Sequence, residues 1–334
     1  MSANIRLRVA GGSGPNVVAL GGGHGLAATL RALRRLTDTI TAVVGVADDG
    51  GSSGRLRSEF GVLPPGDLRM ALAALCGDDT WGRTWARVVQ HRFGGDGQLA
   101  GHSVGNLLIT ALWEETGDPV TGLDWLGALL GSQGRVLPCS TVPLEIVAEV
   151  SGLAADPDRI TEVRGQVAAA TTPGDVRSIR LVPTDPPACA EAIDAIGAAD
   201  IVILGPGSWF TSVMPHLAIA QQRRAIEESS AKKVVIMNLN PQHDAEMSGR
   251  SIAAHLDVLM RTAPGLGVDV VIADPDHVDD VGMLASRCAA LGARLDLAQV
   301  GYPDGLNPGQ HDPARLAVAL AGVTSEWQDV APWR

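Results

Sequence analysis

The period of apolar positions changes along this chain, and the changes mark its elements. NVVAL is a short apolar run of β type that enters GGGHGL, after which AATLRALRRL spaces its apolar residues at helical intervals. ITAVVGVA, rich in β-branched side chains, reads as a second buried strand. Strand, glycine loop, helix and strand make a βαβ unit, which predicts a parallel sheet with a right-handed crossover. The same order returns late in the chain. ADIVILGPGS is strand then turn, SWFTSVMPHLAIAQQRRAIEES a helix, and KKVVIMNLN a strand. GVDVVIADP is a further strand, followed by a helix over 279–291. HDPARLAVALAGV closes the pattern as a helix, with Asp312 as N-cap and Pro313 at the first helical position.

Between these units the texture differs. WGRTWARVVQ, GNLLITALWEET and LDWLGALLG read as helices, whereas VPLEIVAEVSG, EVRGQVAAATT and VRSIRLVP read as shorter strands parted by Gly, Pro and Asp. The expected fold is therefore α/β: a Rossmann-like, doubly wound, mostly parallel sheet in one domain over 16–325. It carries a helical insertion at about 80–132 and a small β-rich subdomain at about 136–183, and residues 1–15 form a flexible tail. No solenoid repeat interrupts it.

With 334 residues and a hydrophobic share of 46%, the chain can bury one large core. A net charge of −11 argues against nucleic-acid or anionic-membrane binding, which need a basic face. Of the 26 basic residues 24 are Arg, which leaves room for a local basic pocket, although a GC-rich genome explains the bias as well. Cys76, Cys139, Cys189 and Cys288 form no CxxC pair and no Cys/His cluster, so they read as small buried residues in a reducing compartment. No apolar signal core and no membrane-length apolar run are present, and a cytoplasmic location is expected.

Chemistry is expected in the loops. Gly21, Gly22, Gly23, His24 and Gly25 stand where a strand ends and a helix begins, a place where backbone amides and the helix dipole favour an anion; a tight turn is the competing reading. The loop is neither a Walker A nor a dinucleotide fingerprint. An NAD(P)-dependent oxidoreductase, suggested by Asp48 at the end of the second strand, is weakened accordingly. His24 either contacts a phosphate or caps the helix. In ADDGGSSGRLR, Asp48 and Asp49 are candidates for a hydroxyl or a Mg²⁺ ion and for catalysis. Gly50, Ser52, Ser53 and Arg55 lie in what reads as a long mobile loop. Asp67 in PPGDLR reads as an N-cap, and Arg69 either pairs with it or points into the site. His102 and Asn106 share one face of a helix start, where Asn106 is either a structural residue or a reader of base or sugar. Gly205, Pro206, Gly207 and Ser208, with Thr211 one turn on, repeat the anion-binding logic. Asn238 ends a strand at the same edge.

Taken together, ALGGGHGL, VADDGGSSGRLR, VLPPGDLRMALAAL, GHSVGNLL, LGPGSWFTSVMPHL and HDPARLA resemble the YvcK-type gluconeogenesis factors of the CofD-like superfamily, in order from about residue 17 to residue 320. That superfamily includes the 2-phospho-L-lactate transferases of deazaflavin coenzyme biosynthesis. The resemblance implies a nucleotide-type ligand, UDP-N-acetylglucosamine, held by residues 21–25, 48–55 and 205–208. It also implies a role in cell shape and envelope synthesis during gluconeogenic growth, with a Ser/Thr kinase and cell-wall enzymes as partners. No cofactor is required under that reading, and a homo-oligomer is left open. The transferase cousins use a GDP-linked substrate and Mg²⁺, the alternative function. Three positions depart from the common pattern: His24 for Thr, Gln310 for Arg, and Arg250 for an aromatic.

Overall fold

The computed structural model describes residues 14–239, 250–303, 307 and 309–323, so most of the expected tail, Asn240 and the last two residues of the expected domain lie outside the described residues. Seven parallel strands form the main sheet: β1 (Val17–Gly21), β2 (Ile40–Val44), β3 (Arg135–Pro138), β7 (Ile201–Leu204), β8 (Lys232–Ile236), β9 (Val270–Ala273) and β10 (Arg294–Leu297). Their order is β10-β9-β8-β7-β1-β2-β3. Val17 pairs with Ile40 on one side and Ile201 on the other, which makes β1 an interior strand, next to the central β7. The β1 residues are all buried, as expected of a parallel strand covered on both faces. α1 (Gly23–Leu33) packs against β1 and against α3 (Gly66–Leu75). α13 (Pro313–Ala321) covers α1 in turn, and the Asp312 carboxylate accepts the Ala314 N–H at 2.7 Å, as the sequence pattern predicts.

The helical insertion holds α4 (Thr80–Gln90), α5 (Val104–Thr116) and α6 (Pro119–Leu130). A separate antiparallel sheet of β4 (Glu145–Ser151), β5 (Thr161–Arg164) and β6 (Asp175–Val182) forms the small subdomain in the order β5-β4-β6.

Four expectations change. The strand at 135–138 belongs to the main sheet, because Val44 pairs with Pro138, so the β-rich subdomain begins after it. EVRGQVAAATT is strand only through Arg164; its second half is α7 (Gln166–Ala170), as an Ala-rich stretch favours. The expected mobile loop is helix α2 (Gly51–Phe60), because the hydroxyls of its first turn are bound by neighbours. The single helix expected after β7 is three pieces: a π-helical turn over Trp209–Val213, α9 (Met214–Ala218) and α10 (Ala220–Glu228).

Candidate functional site

Strand order reverses between β1 and β7, with β2 and β3 on one side and β8, β9 and β10 on the other. A doubly wound sheet opens a crevice at such a point, beyond the carboxyl ends of its strands. Both glycine turns leave from it, residues 21–25 after β1 and 205–208 after β7. They pack edge to edge: a Cβ on Gly25 would collide with the Pro206 carbonyl oxygen. Thr29 Oγ1 donates across to the Gly205 carbonyl at 3.3 Å. Gly207 N–H donates to Asn238 Oδ1, beyond β8, at 2.9 Å, and Ser208 and Thr211 bond through their hydroxyls. His24 stands exposed at the mouth of the crevice.

The floor of the first turn rests on His216, which sequence reasoning missed. Its imidazole is fully buried, and burial holds its pKa down to about 4. The ring is therefore neutral, with Nε2–H facing the Gly21 carbonyl at 3.1 Å and Nδ1 accepting from Gln222 Nε2 at 2.8 Å. The sequence signal was slight: a His in the apolar stretch VMPHLAIA, and a Gln among the polar residues of QQRRAIEE.

One wall carries the acids. Asp48 Oδ1 accepts the Gly50 N–H at 2.9 Å, and its other oxygen lies against Gly66. Asp67 does not cap α3, whose N-cap is Pro65. Its carboxylate turns instead to the first glycine turn, lies against Gly22 and accepts the Gly23 N–H. Burial, and then the nearby charge of Asp48, raise the Asp67 pKa to about 7. Asp49 faces elsewhere: its Oδ1 accepts the Val167 N–H at 3.0 Å, so it caps α7 of the small subdomain. The adjacent acids thus divide, and the carboxylate beside Asp48 is Asp67. A divalent cation would be held there if anywhere on this wall. Among the described residues, no group of three or more His, Cys, Asp or Glu is placed to hold a metal ion.

The other wall is α5 with the start of α2. Ser52 is buried and hydrogen bonds to His102 Nδ1 at 2.9 Å, while Asn106 Nδ2 donates to Ser52 at 3.0 Å. Burial, with the charge of Arg55, lowers the His102 pKa and keeps the ring neutral. Ser53 accepts the Gly66 N–H at 3.0 Å. Arg55 is exposed, and its guanidinium donates to the Ala100 and Gln98 carbonyls. Arg69 is 4% exposed. Burial and Arg92 bring its pKa down to about 10, so it stays charged at neutral pH.

Two other features lie outside this cleft. A cavity of about 950 Å³ opens at the opposite, amino edge of the sheet, lined in part by Asp38, Trp125 and the Arg135–Asp124 pair. Arg250 is held by Asp175 at 2.5 Å, at the start of β6.

Sheet, reversal point and paired glycine turns define a Rossmann-like protein with a cleft at the carboxyl edge of its sheet. Residues 17–294 match the family described as 2-phospho-L-lactate transferase CofD, and the chain belongs to that family. Within it the chain groups with the gluconeogenesis factors. It is 54% identical over 310 residues to a Mycobacterium tuberculosis protein provisionally given that name, with 92% of this chain and 90% of the relative covered. It is 37% identical over 266 residues to the gluconeogenesis factor of Halalkalibacterium halodurans, with 79% of each chain covered. A crystal structure of a UPF0052-family protein from Bacillus halodurans superposes with a TM-score of 0.79 at 32% identity, covering 92% of this chain and 98% of that one.

Proposed function

We propose that the chain is a regulatory factor that binds UDP-N-acetylglucosamine in the cleft between the two glycine turns. In this reading it acts in the cytoplasm to match envelope precursor supply and cell shape to gluconeogenic growth. A Ser/Thr kinase and cell-wall synthesis enzymes are its partners. The observation that carries the reading is the contact between residues 21–25 and 205–208 across neighbouring strands. Two helix-leading turns side by side offer amides to a diphosphate, leaving the acidic and polar walls for the groups at its ends. Kinship with the gluconeogenesis factors supports the regulatory role. Isothermal titration of the full chain with UDP-N-acetylglucosamine tests it. A saturable heat is expected, and silence towards this and every other uridine nucleotide would sink the proposal.

One observation favours a second reading, a Mg²⁺-dependent transferase acting on a nucleotide-linked substrate. Asp48 lies close enough to Asp67 to raise its pKa, and a divalent cation would relieve that repulsion. Such an ion would neutralise phosphate charge and stabilise the leaving group. Asp48→Asn should then abolish turnover while nucleotide binding persists. If no GDP or UDP conjugate is consumed with Mg²⁺ and any acceptor, the transferase reading is dropped.

A further inference from the structure

Buried polar atoms without a partner are uncommon, because each gives up its hydrogen bonds to water and receives nothing in return. Four such atoms belong to Arg69 of α3 and to the start of α5: Nε and Nη1 of Arg69, Oγ of Ser103 and Oδ1 of Asn106. Ser103 and Asn106 are as deeply buried as Arg69, at 0% and 1% exposed. Gly105 shows that Arg69 lies against the helix turn that carries Ser103 and Asn106. A Cβ there would lie 2.7 Å from Arg69 Cγ and 2.8 Å from the Val89 carbonyl, so the Arg69 side chain runs across the first turn of α5.

The surroundings make the charge of Arg69 harder to leave alone. Its Nε and Nη1 hydrogen bond to neither Asp67 nor Asp48, whose charges favour the guanidinium, while burial and the charge of Arg92 oppose it. The amino end of the 13-residue helix α5 adds positive potential at the same place. Its N-cap residue, Ser103, makes no capping bond with its side chain. A guanidinium cannot shed its proton to escape burial, and an acid is the partner that satisfies both its unpaired N–H groups and its charge.

We propose that this pocket is a second anion subsite, in which Arg69, Ser103 and the first turn of α5 receive a phosphate or carboxylate group beside the glycine turns. Asn106 Oδ1 is an acceptor, so the acid carries a hydroxyl or N–H donor next to it. Two sources have this chemistry. One is a nucleotide conjugate with its own acidic group at the end away from the diphosphate; the other is inorganic phosphate, whose P–OH is the donor. The inference rests on the cleft described above and does not depend on uridine.

The first test is thermal unfolding of the full chain in chloride and in inorganic phosphate at matched pH and ionic strength. Phosphate is expected to raise the wild-type midpoint. Arg69→Met, which removes an unpaired buried charge, should fold with a midpoint in chloride no lower than wild type and lose the phosphate shift. Asn106→Asp places a carboxylate in the pocket, and should raise the chloride midpoint and remove the shift as well. It decides the matter if Arg69→Met fails to fold.

The second test compares UDP-N-acetylglucosamine with the same molecule bearing a lactyl-ether carboxylate on the sugar. Binding of the acid at least about tenfold tighter, lost in Arg69→Met or Asn106→Asp, assigns the subsite to the ligand's far end. Equal binding of the two, together with an Arg69-dependent phosphate shift, assigns it to free phosphate. If neither uridine ligand binds while that shift persists, the UDP-sugar reading fails and the subsite stands. A phosphate shift undiminished in either variant overturns the proposal, as does the absence of both the shift and the preference.

Discussion

Asp67 is the residue at which burial and charge meet most directly. Its ordinary pKa of 3.8 rises to about 7 in the folded chain, because its carboxylate is desolvated and Asp48 lies nearby. The folded state therefore holds the proton more tightly than the unfolded one. The stability this contributes is complete below about pH 4 and is lost as pH rises through about 7. Asp67→Asn, neutral at every pH, should gain on wild type as pH is raised from about 5 to about 8, measured as urea midpoints. A difference that does not change with pH would remove the basis for the raised value. Asp67 was legible as a residue that matters, because PPGDLR is distinctive, but its role was not. An Asp at a helix start suits an N-cap equally well, and only the approach of Gly22 and Gly23 shows where the carboxylate turns. His216 was hidden for a different reason: nothing local distinguishes a histidine that supports a backbone carbonyl from one that fills space.

At the scale of elements, the link between α7 and the Asp48–Asp49 segment is the most testable. Asp49 acts as a helix cap supplied from 118 residues away, and it joins the small subdomain to the edge of the main sheet. Asp49→Ala should cost about 1 kcal/mol, the usual loss for a helix cap. It should also speed amide exchange in α7 and β5 before the rest of the chain. Unchanged exchange in α7 would show that the cap does not hold it. Asp312→Ala removes an ordinary local cap and should likewise cost about 1 kcal/mol, read as a urea midpoint. The contrast explains why one was predicted and the other was not. The Asp312 partner is Ala314, within the same motif, whereas the Asp49 partner is in another domain segment. Helix α2 teaches the same lesson, since Gly and Ser suggest a loop until His102, Asn106 and Gly66 bind Ser52 and Ser53.

For the whole molecule, four buried histidines among the described residues shape the response to acid, since burial lowers the pKa of His102 as well as those of the three that follow. Burial lowers the pKa of His216, His255 and His311 to about 4, from an ordinary 6.5. Their neutral rings contribute stability that is complete above about pH 6.5 and is lost as pH falls through about 4. Asp67 acts in the opposite sense over much of that range, but it is one group against four. Net destabilisation is expected on acidification from about pH 6.5 to about pH 4, and His216→Gln should blunt it. A urea midpoint that holds steady across that interval would contradict the buried, neutral assignment. The sequence alone determined the βαβ units, the glycine turns, the capped closing helix and the family to which the motifs belong, because period and turn chemistry are written within a few neighbouring residues. Only the tertiary structure decided that β1 and β7 are neighbours, that Asp48 faces Asp67 while Asp49 leaves for α7, and that Arg69 is buried against α5 with Nε and Nη1 unpaired. Periodicity records which face of an element is buried; which distant residue meets that face is settled when the sheet is ordered and the helices close on it.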